Sequence, residues 1–268
     1  MRERNRWLTG YALLVYAFLF APIVVLILFS FNTARRGLVW RGFTLDWYPK
    51  LFANDELLDA LAVTFQVAIV AVVVSTVLGS LLGLGLARMK FRGRGATETL
   101  LLVPMLTPEI VMGLALLLFF LQLFDAHGSV PQLWVAHITF CISYVAVVVR
   151  ARATSMNAQL EEAARDLGAS AWGAFRYVTL PLILPAVIAG ALLAFSLSFD
   201  DYVVTTFNSG VGGSTLPLYI YGAIKFGVSP EINAISTIIV AVTATAILIA
   251  WRAGAFRTES DRPVAETT

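Results

Sequence analysis

Charge is scarce in this chain of 268 residues: Asp, Glu, Lys and Arg make up 13% of it, against 59% hydrophobic residues and a mean hydropathy of +0.81. So few charges cannot clothe a water-soluble globule of this size, and the composition is that of a membrane protein. Nineteen Lys and Arg against 17 Asp and Glu leave a net charge of only +2, which excludes the broad basic surface of a nucleic-acid binder. The single cysteine, Cys141, lies in a long apolar run, so an intrachain disulfide and a cysteine-based zinc site are both excluded. His127 and His137 lack the flanking Glu of a helical zinc-protease arrangement; both are read as structural, and no metal is expected. No G-x-x-x-x-G-K-[ST] run occurs, and none of Lys50, Lys90 and Lys225 has the glycine context that cradles phosphate. No nucleophile elbow or Ser, His and acid arrangement is present either. The chain is therefore expected to be no enzyme, and to bind no cofactor itself.

What it has in abundance is long apolar runs. A bilayer core ~30 Å thick needs ~20 apolar helical residues, and six stretches meet that need: Gly10 to Phe31, Ala60 to Ala87, Leu100 to Phe124, Pro131 to Val149, Leu182 to Phe199 and Ala234 to Trp251. The first follows Arg2, Arg4 and Arg6, but it is too long for a leader and no small-residue cleavage site follows, so it is read as a retained span. With both termini cytoplasmic, 14 of the 19 basic residues fall inside and only Arg35, Arg36, Arg41, Lys50 and Lys225 fall outside. That split obeys the positive-inside rule. The outer half then holds nine acids, among them Asp55, Glu109, Asp200, Asp201 and Glu231, and is acidic. Ser75, Gly79, Gly83 and Ala87, and likewise Ala186, Gly190 and Ala194, form small-residue stripes that let helices approach closely. One transmembrane domain is expected over residues 1–256, followed by a polar, disordered tail over 257–268.

Between the fourth and fifth spans lies RARATSMNAQLEEAARDLGASAWGAFRYVTL, Arg150 to Leu180. Glu161 to Leu167 favours helix, Gly168 stops it, Ala169 to Val178 resumes it, and Pro181 opens the next span at its first turn. A helix, a glycine bend and a second helix therefore project from the membrane. Glu162, Ala163 and Ala164, then Gly168, then Val178, Thr179, Leu180 and Pro181 resemble the EAA loop of ABC importer permeases, with Val178 where Ile is commoner. Further blocks, including VPMLTPEIVMG (Val103 to Gly113), LSFDDYVVTTFNSG (Leu197 to Gly210) and TLPLYIYGAIKFGVSPEINAIST (Thr215 to Thr237), resemble permeases of spermidine/putrescine importers over nearly the whole chain. The resemblance implies an all-α membrane protein with the type I ABC importer permease fold, in a bacterial inner membrane. It implies as partners two cytoplasmic ATPases that bind ATP and Mg, a second permease and an extracytoplasmic binding protein. Glu162, Ala163, Ala164, Gly168, Leu180 and Pro181 become the residues that couple to the ATPase. An importer of another small solute, or a secondary transporter or channel, is the alternative. An ATPase dock argues against the last two.

A polyamine needs carboxylates at intervals along its path with aromatic faces between them. Glu109, nine residues into a third span entered at Leu100, would lie ~14 Å deep, where an ionisable residue is functional by default, and Pro104 and Pro108 just before it break helix hydrogen bonds, which a membrane tolerates where backbone faces protein or water. The alternative is that Glu109 caps the helix restarted after Pro108 or pairs with a buried Arg. Adjacent Asp200 and Asp201, followed by Tyr202, cannot face the same way, so one points into the path while the other caps or pairs. Glu231 suits the N-terminus of the last span, and Trp47 with Tyr48 suits the membrane interface as an alternative to stacking on a cation. Tyr144 and Tyr221 are weaker candidates.

Overall fold

A computed structural model describes residues 6–34, 39–126, 128–157, 159–210, 212–225, 227 and 229–252. Arg2, Arg4, Arg35, Arg36, His127 and the tail expected to be disordered lie outside the described residues. The chain divides into two compact units, one of residues 1–55 with 222–268, the other Glu56–Tyr221.

In the first unit, α1 (Arg6–Phe29) carries a long apolar run that ends in a polar turn. The turn is organised by Asn32, whose side chain donates to the Val39 carbonyl at 2.8 Å and accepts from the Arg41 N–H at 2.9 Å. Its backbone pairs with Phe43 in an isolated bridge. The short helix α2 (Trp47–Phe52) is pinned to this turn by the Trp47 indole, which donates to the Asn32 carbonyl at 2.7 Å. The last helix, α12 (Pro230–Arg252), packs on α1 and α2.

The second unit is built around α6 (Val130–Ser155), whose N-terminus is capped by the Ser129 hydroxyl and opened by Pro131. Against it lie α3 (Asp55–Arg88), α4 (Arg94–Leu106) and α9 (Leu180–Phe199). At 1.5 Å per residue the 34 residues of α3 run ~50 Å, well beyond an apolar core of ~30 Å. Val145 of α6 receives both small-residue stripes: a side chain at Gly79 would stand 2.8 Å from Val145 Cβ, and one at Gly190 3.3 Å from Val145 Cγ1. The stripes are thus consumed by packing within the chain.

α4 and α5 (Glu109–Phe124) meet at 110°. The cause is Pro108, which holds Thr107 extended at φ −74 and ψ 130 and ends α4 there. The third span expected from Leu100 to Phe124 is therefore a bent pair, broken at Pro108, and the depth of Glu109 counted at a continuous helical rise does not hold. Between α6 and α9, α7 (Gln159–Asp166) and α8 (Ala171–Ala174) are followed by a π turn, Phe175–Thr179, that leads without a break into α9. Past α9, two short helices, α10 (Val203–Asn208) and α11 (Leu216–Ile224), lie between the fifth and the last of the expected spans. Among the described residues four helices are long and apolar enough to cross a membrane, five when the bent pair is one span, and α12 carries a shorter apolar stretch, Pro230–Thr245.

Candidate functional site: an acidic cavity and a projecting loop

The α4–α5 bend and the break between α9 and α10 line a cavity of about 530 Å³, within the ~300–1,000 Å³ usual for small-molecule sites. Glu109 stands in it exposed, in the first turn of α5 behind Pro108. Placement in the cavity and placement at a helix N-terminus are thus both true of this residue.

The two aspartates divide. Asp200, the last residue before the break, is exposed to the cavity. The Asp201 side chain is only 7% exposed, and its oxygens accept the Val204 N–H at 3.2 Å, the Thr205 N–H at 2.8 Å and the Thr205 hydroxyl at 2.8 Å. Asp201 therefore caps α10 and starts it. Behind it, buried His137 lies 2.8 Å from the Ser198 hydroxyl, 3.2 Å from Thr205 Oγ1 and 3.6 Å from Asp201 Oδ2. Further along α10, Asn208 donates to the Gly113 carbonyl at 3.1 Å and accepts from Gln132. These links hold α10 to α5 and α6, so the cavity wall is rigid where the backbone is least helical.

Tyr202 stacks on Tyr221 with ring centroids 3.9 Å apart and 15° between planes. Tyr144, Phe140, Met105 and Met112 also line it. The cavity thus sets two exposed carboxylates, Glu109 and Asp200, among aromatic rings, an arrangement suited to an organic cation.

Glu109, Asp200, Asp201 and Tyr202 are brought together; Trp47 and Glu231 belong to the other unit. Trp47 is buried at 6% exposure and carries Lys50 over its ring at 4.6 Å, so it is a core residue of that unit. This corrects the interface-anchor reading: an indole that must satisfy Asn32 cannot also sit against lipid headgroups. Tyr48 is half-buried, its hydroxyl 3.1 Å from that of Ser30. Glu231 is half-buried in the first turn of α12, where a carboxylate favours the helix.

The projecting loop has a definite geometry. Gly168 takes φ +91, with the Gly168 N–H donating to Arg165 and the Ala169 N–H to Ala164. This is a Schellman turn, which needs a left-handed residue and so a glycine. Ser170 then caps α8 by accepting the Gly173 N–H at 3.1 Å. Glu162 and Ala163 are exposed, Ala164 is half-buried, and Leu167, Trp172 and Tyr177 present apolar surface at 90%, 66% and 76% exposure. Leu180 is half-buried and Pro181 exposed at the root of α9.

The sequence profile of the family described as "Binding-protein-dependent transport system inner membrane component" matches residues 75–255. The chain belongs to that family. The permease is 38% identical over 254 residues to the putrescine transport system permease protein PotI of Escherichia coli strain K12, covering 92% of this chain and 90% of the relative. It is 40% identical over 240 residues to the spermidine/putrescine transport system permease protein PotC of Haemophilus influenzae, covering 90% and 93%. Among solved structures, a chain of the bacterial alginate ABC transporter, in complex with an alginate pentasaccharide-bound periplasmic protein, superposes with a TM-score of 0.71 at 18% identity, covering 95% of the permease and 96% of that chain. The fold is thus the all-α fold of type I ABC importer permeases, and the permease is a multi-pass inner-membrane transport subunit.

Sequence reasoning ranked Tyr144 and Tyr221 low, because each sits alone in an apolar run and only the fold brings them to the cavity. It also passed over Glu161, whose neighbour Glu162 carries the motif.

Proposed function

We propose that this permease forms half of the translocation pathway of an ATP-driven polyamine importer. The observation that carries the reading is the likeness to PotI and PotC over nine-tenths of the chain, and the cavity chemistry agrees with it. Glu109 and Asp200 pair with ammonium groups, Tyr202 and Tyr221 face the methylene chain between them, and Asp201 shapes the wall. Two cytoplasmic ATPases bind ATP and Mg and dock on Glu162, Ala163 and Ala164; Gly168, Leu180 and Pro181 set the course of the chain into α9. A second permease and an extracytoplasmic binding protein complete the assembly, and a bound periplasmic protein accompanies the alginate transporter of the same fold. Six spans in one domain over residues 1–256 are supported by the apolar runs, and cytoplasmic termini by the distribution of basic residues.

The test is uptake into proteoliposomes that hold the permease with its partners. ATP-dependent accumulation of putrescine or spermidine is expected. Uptake that persists without the ATPases would mean a channel or secondary transporter, and ATP hydrolysis stimulated only by other solutes would mean an importer of another class. Within the active complex, Glu109→Gln and Asp200→Asn are each expected to lower uptake by tenfold or more, since a lost charge pair in a desolvated path is worth about 2–5 kcal/mol. Asp55→Asn, at the start of α3, is the control and is expected to transport normally. If all three match the parent, the carboxylates do not carry the cation.

A further inference from the structure

None of the residues of α7 is buried, so apolar packing does little to hold this helix on the membrane helices. One inward carboxylate holds it instead. Glu161 Oε2 accepts the Thr179 hydroxyl at 3.1 Å and lies 3.4 Å from Arg88 Nη1, while Oε1 lies 3.6 Å from Arg165 Nη2. Thr179 is buried and immediately precedes Leu180 at the root of α9, and Arg88 is the last residue of α3. A single side chain therefore joins the projecting helix to the ends of two long helices. Its neighbour Glu162 points outward and is exposed.

The joint is also built to move. Arg88 Nε and Nη2 are buried without a hydrogen-bond partner among the described residues, so the guanidinium meets the carboxylate through one nitrogen at a distance longer than the ~2.7–2.9 Å of a full charge-assisted bond. Closing the Arg88–Glu161 contact by about 0.5 Å would bring it to full charge-assisted length. Two cavities adjoin the joint, each lined by Arg88 and Glu161: one of about 280 Å³ reached by Leu84, Met89 and Phe175, and one of about 230 Å³ reached by Glu162 and Arg165.

We propose that Glu161 is the positioning residue through which motion of the docked loop is delivered to α3 and α9, by its paired contacts with Arg88 and Thr179. The inference rests on the reading of the chain as an ATP-driven importer permease. Glu162 receives the partner, and Glu161 passes the displacement on.

The experiment uses the complete complex in proteoliposomes and measures solute carried per ATP hydrolysed, with putrescine and spermidine as cargo. For Glu161→Ala, ATP hydrolysis is expected to continue while the ratio falls about tenfold or more, as for loss of a coupling interaction. Glu161→Gln keeps an acceptor for Thr179 but loses the charge facing Arg88, and falls between. Arg88→Glu is expected to uncouple as well, and Arg88→Glu combined with Glu161→Arg to regain much of the ratio. A cargo-independent arm places spin labels at the exposed positions Val77 of α3 and Leu192 of α9; their ATP-driven distance change is expected in the parent and not in Glu161→Ala. A parental ratio and parental distance change in Glu161→Ala would overturn the inference. So would loss of ATP hydrolysis together with transport, which would place Glu161 in the dock beside Glu162, and so would a charge swap no better than its single variants. Label movement in a parent complex that carries no polyamine would sink the choice of solute and leave the joint standing.

Discussion

At the scale of the residue, Asp200 and Asp201 show how neighbours of identical chemistry acquire different work. The backbone turn after Phe199 sends one carboxylate into the cavity and folds the other onto the N–H groups of Val204 and Thr205. Removing the second leaves buried donors unpaired, a penalty of about 1–3 kcal/mol, whereas removing the first leaves none. Asp201→Ala is therefore expected to lower the thermal stability of the purified complex by several degrees, with the loss of α10 seen as faster hydrogen exchange at Thr205 and Thr206. Asp200→Asn is expected to unfold at the parental temperature while losing uptake. Equal melting temperatures for the two would show that the cap at Asp201 contributes nothing. The sequence made it legible that the pair must split, since adjacent side chains diverge. Which one caps was not legible, because that depends on where the helix breaks.

Elements were legible in proportion to how locally they are determined. Long apolar runs located the membrane helices, and Gly168 located the bend of the loop, because a Schellman turn is decided by a few consecutive residues. Pro108 announced a break, but the 110° angle between α4 and α5 is set by what α5 packs against, chiefly α10, and Glu109 moved with it. The short helices α2 and α10 were not legible: six residues carry no period, and the contact that places Trp47 comes from Asn32, fifteen residues away. Gly168 gives the element-scale prediction. A Cβ there would meet nothing within 4 Å, so only backbone conformation is at stake. Gly168→Ala is expected to cost about 1–2 kcal/mol in the loop and to slow transport modestly. Gly168→Pro locks φ near −65° and removes the N–H that Arg165 accepts, so it is expected to abolish transport while the spans still insert. Glu162→Arg is expected to do the same by reversing charge on the docking face. Uptake and ATP hydrolysis at parental rates in either variant would dissolve the coupling role of this loop.

The whole molecule is incomplete in two directions that call for different partners. Along the spans, exposed apolar side chains such as Val73, Val77 and Leu192 suit lipid, but Glu109 and Asp200 do not, because a carboxylate needs water or a polar partner that lipid tails cannot supply. The small-residue stripes make no such demand, since α6 already packs on them through Val145, Ala146 and Arg150. Outside the spans the imbalance reverses: Leu167 in the turn after α7, Trp172 on α8 and Tyr177 in the π turn offer water an apolar face, which a docked protein would cover. Expressed by itself, the permease is accordingly expected to aggregate or disperse as several species in detergent, and to become monodisperse when the second permease is co-expressed. The ATPases should add stability through the loop. Burying an aromatic side chain of this kind is worth about 1.5–3 kcal/mol, so Trp172→Ala in the assembled pair of permeases is expected to weaken ATPase binding by roughly tenfold to a hundredfold. The Ser170 cap is untouched by that change, and the ring contact it removes is that with Phe175, centroids 5.4 Å apart, so unfolding of the permease pair is measured alongside. Titrating the ATPase onto permease pairs held in lipid nanodiscs measures it. Parental affinity in Trp172→Ala, with unchanged unfolding of the spans, would mean that this face meets something other than the ATPase.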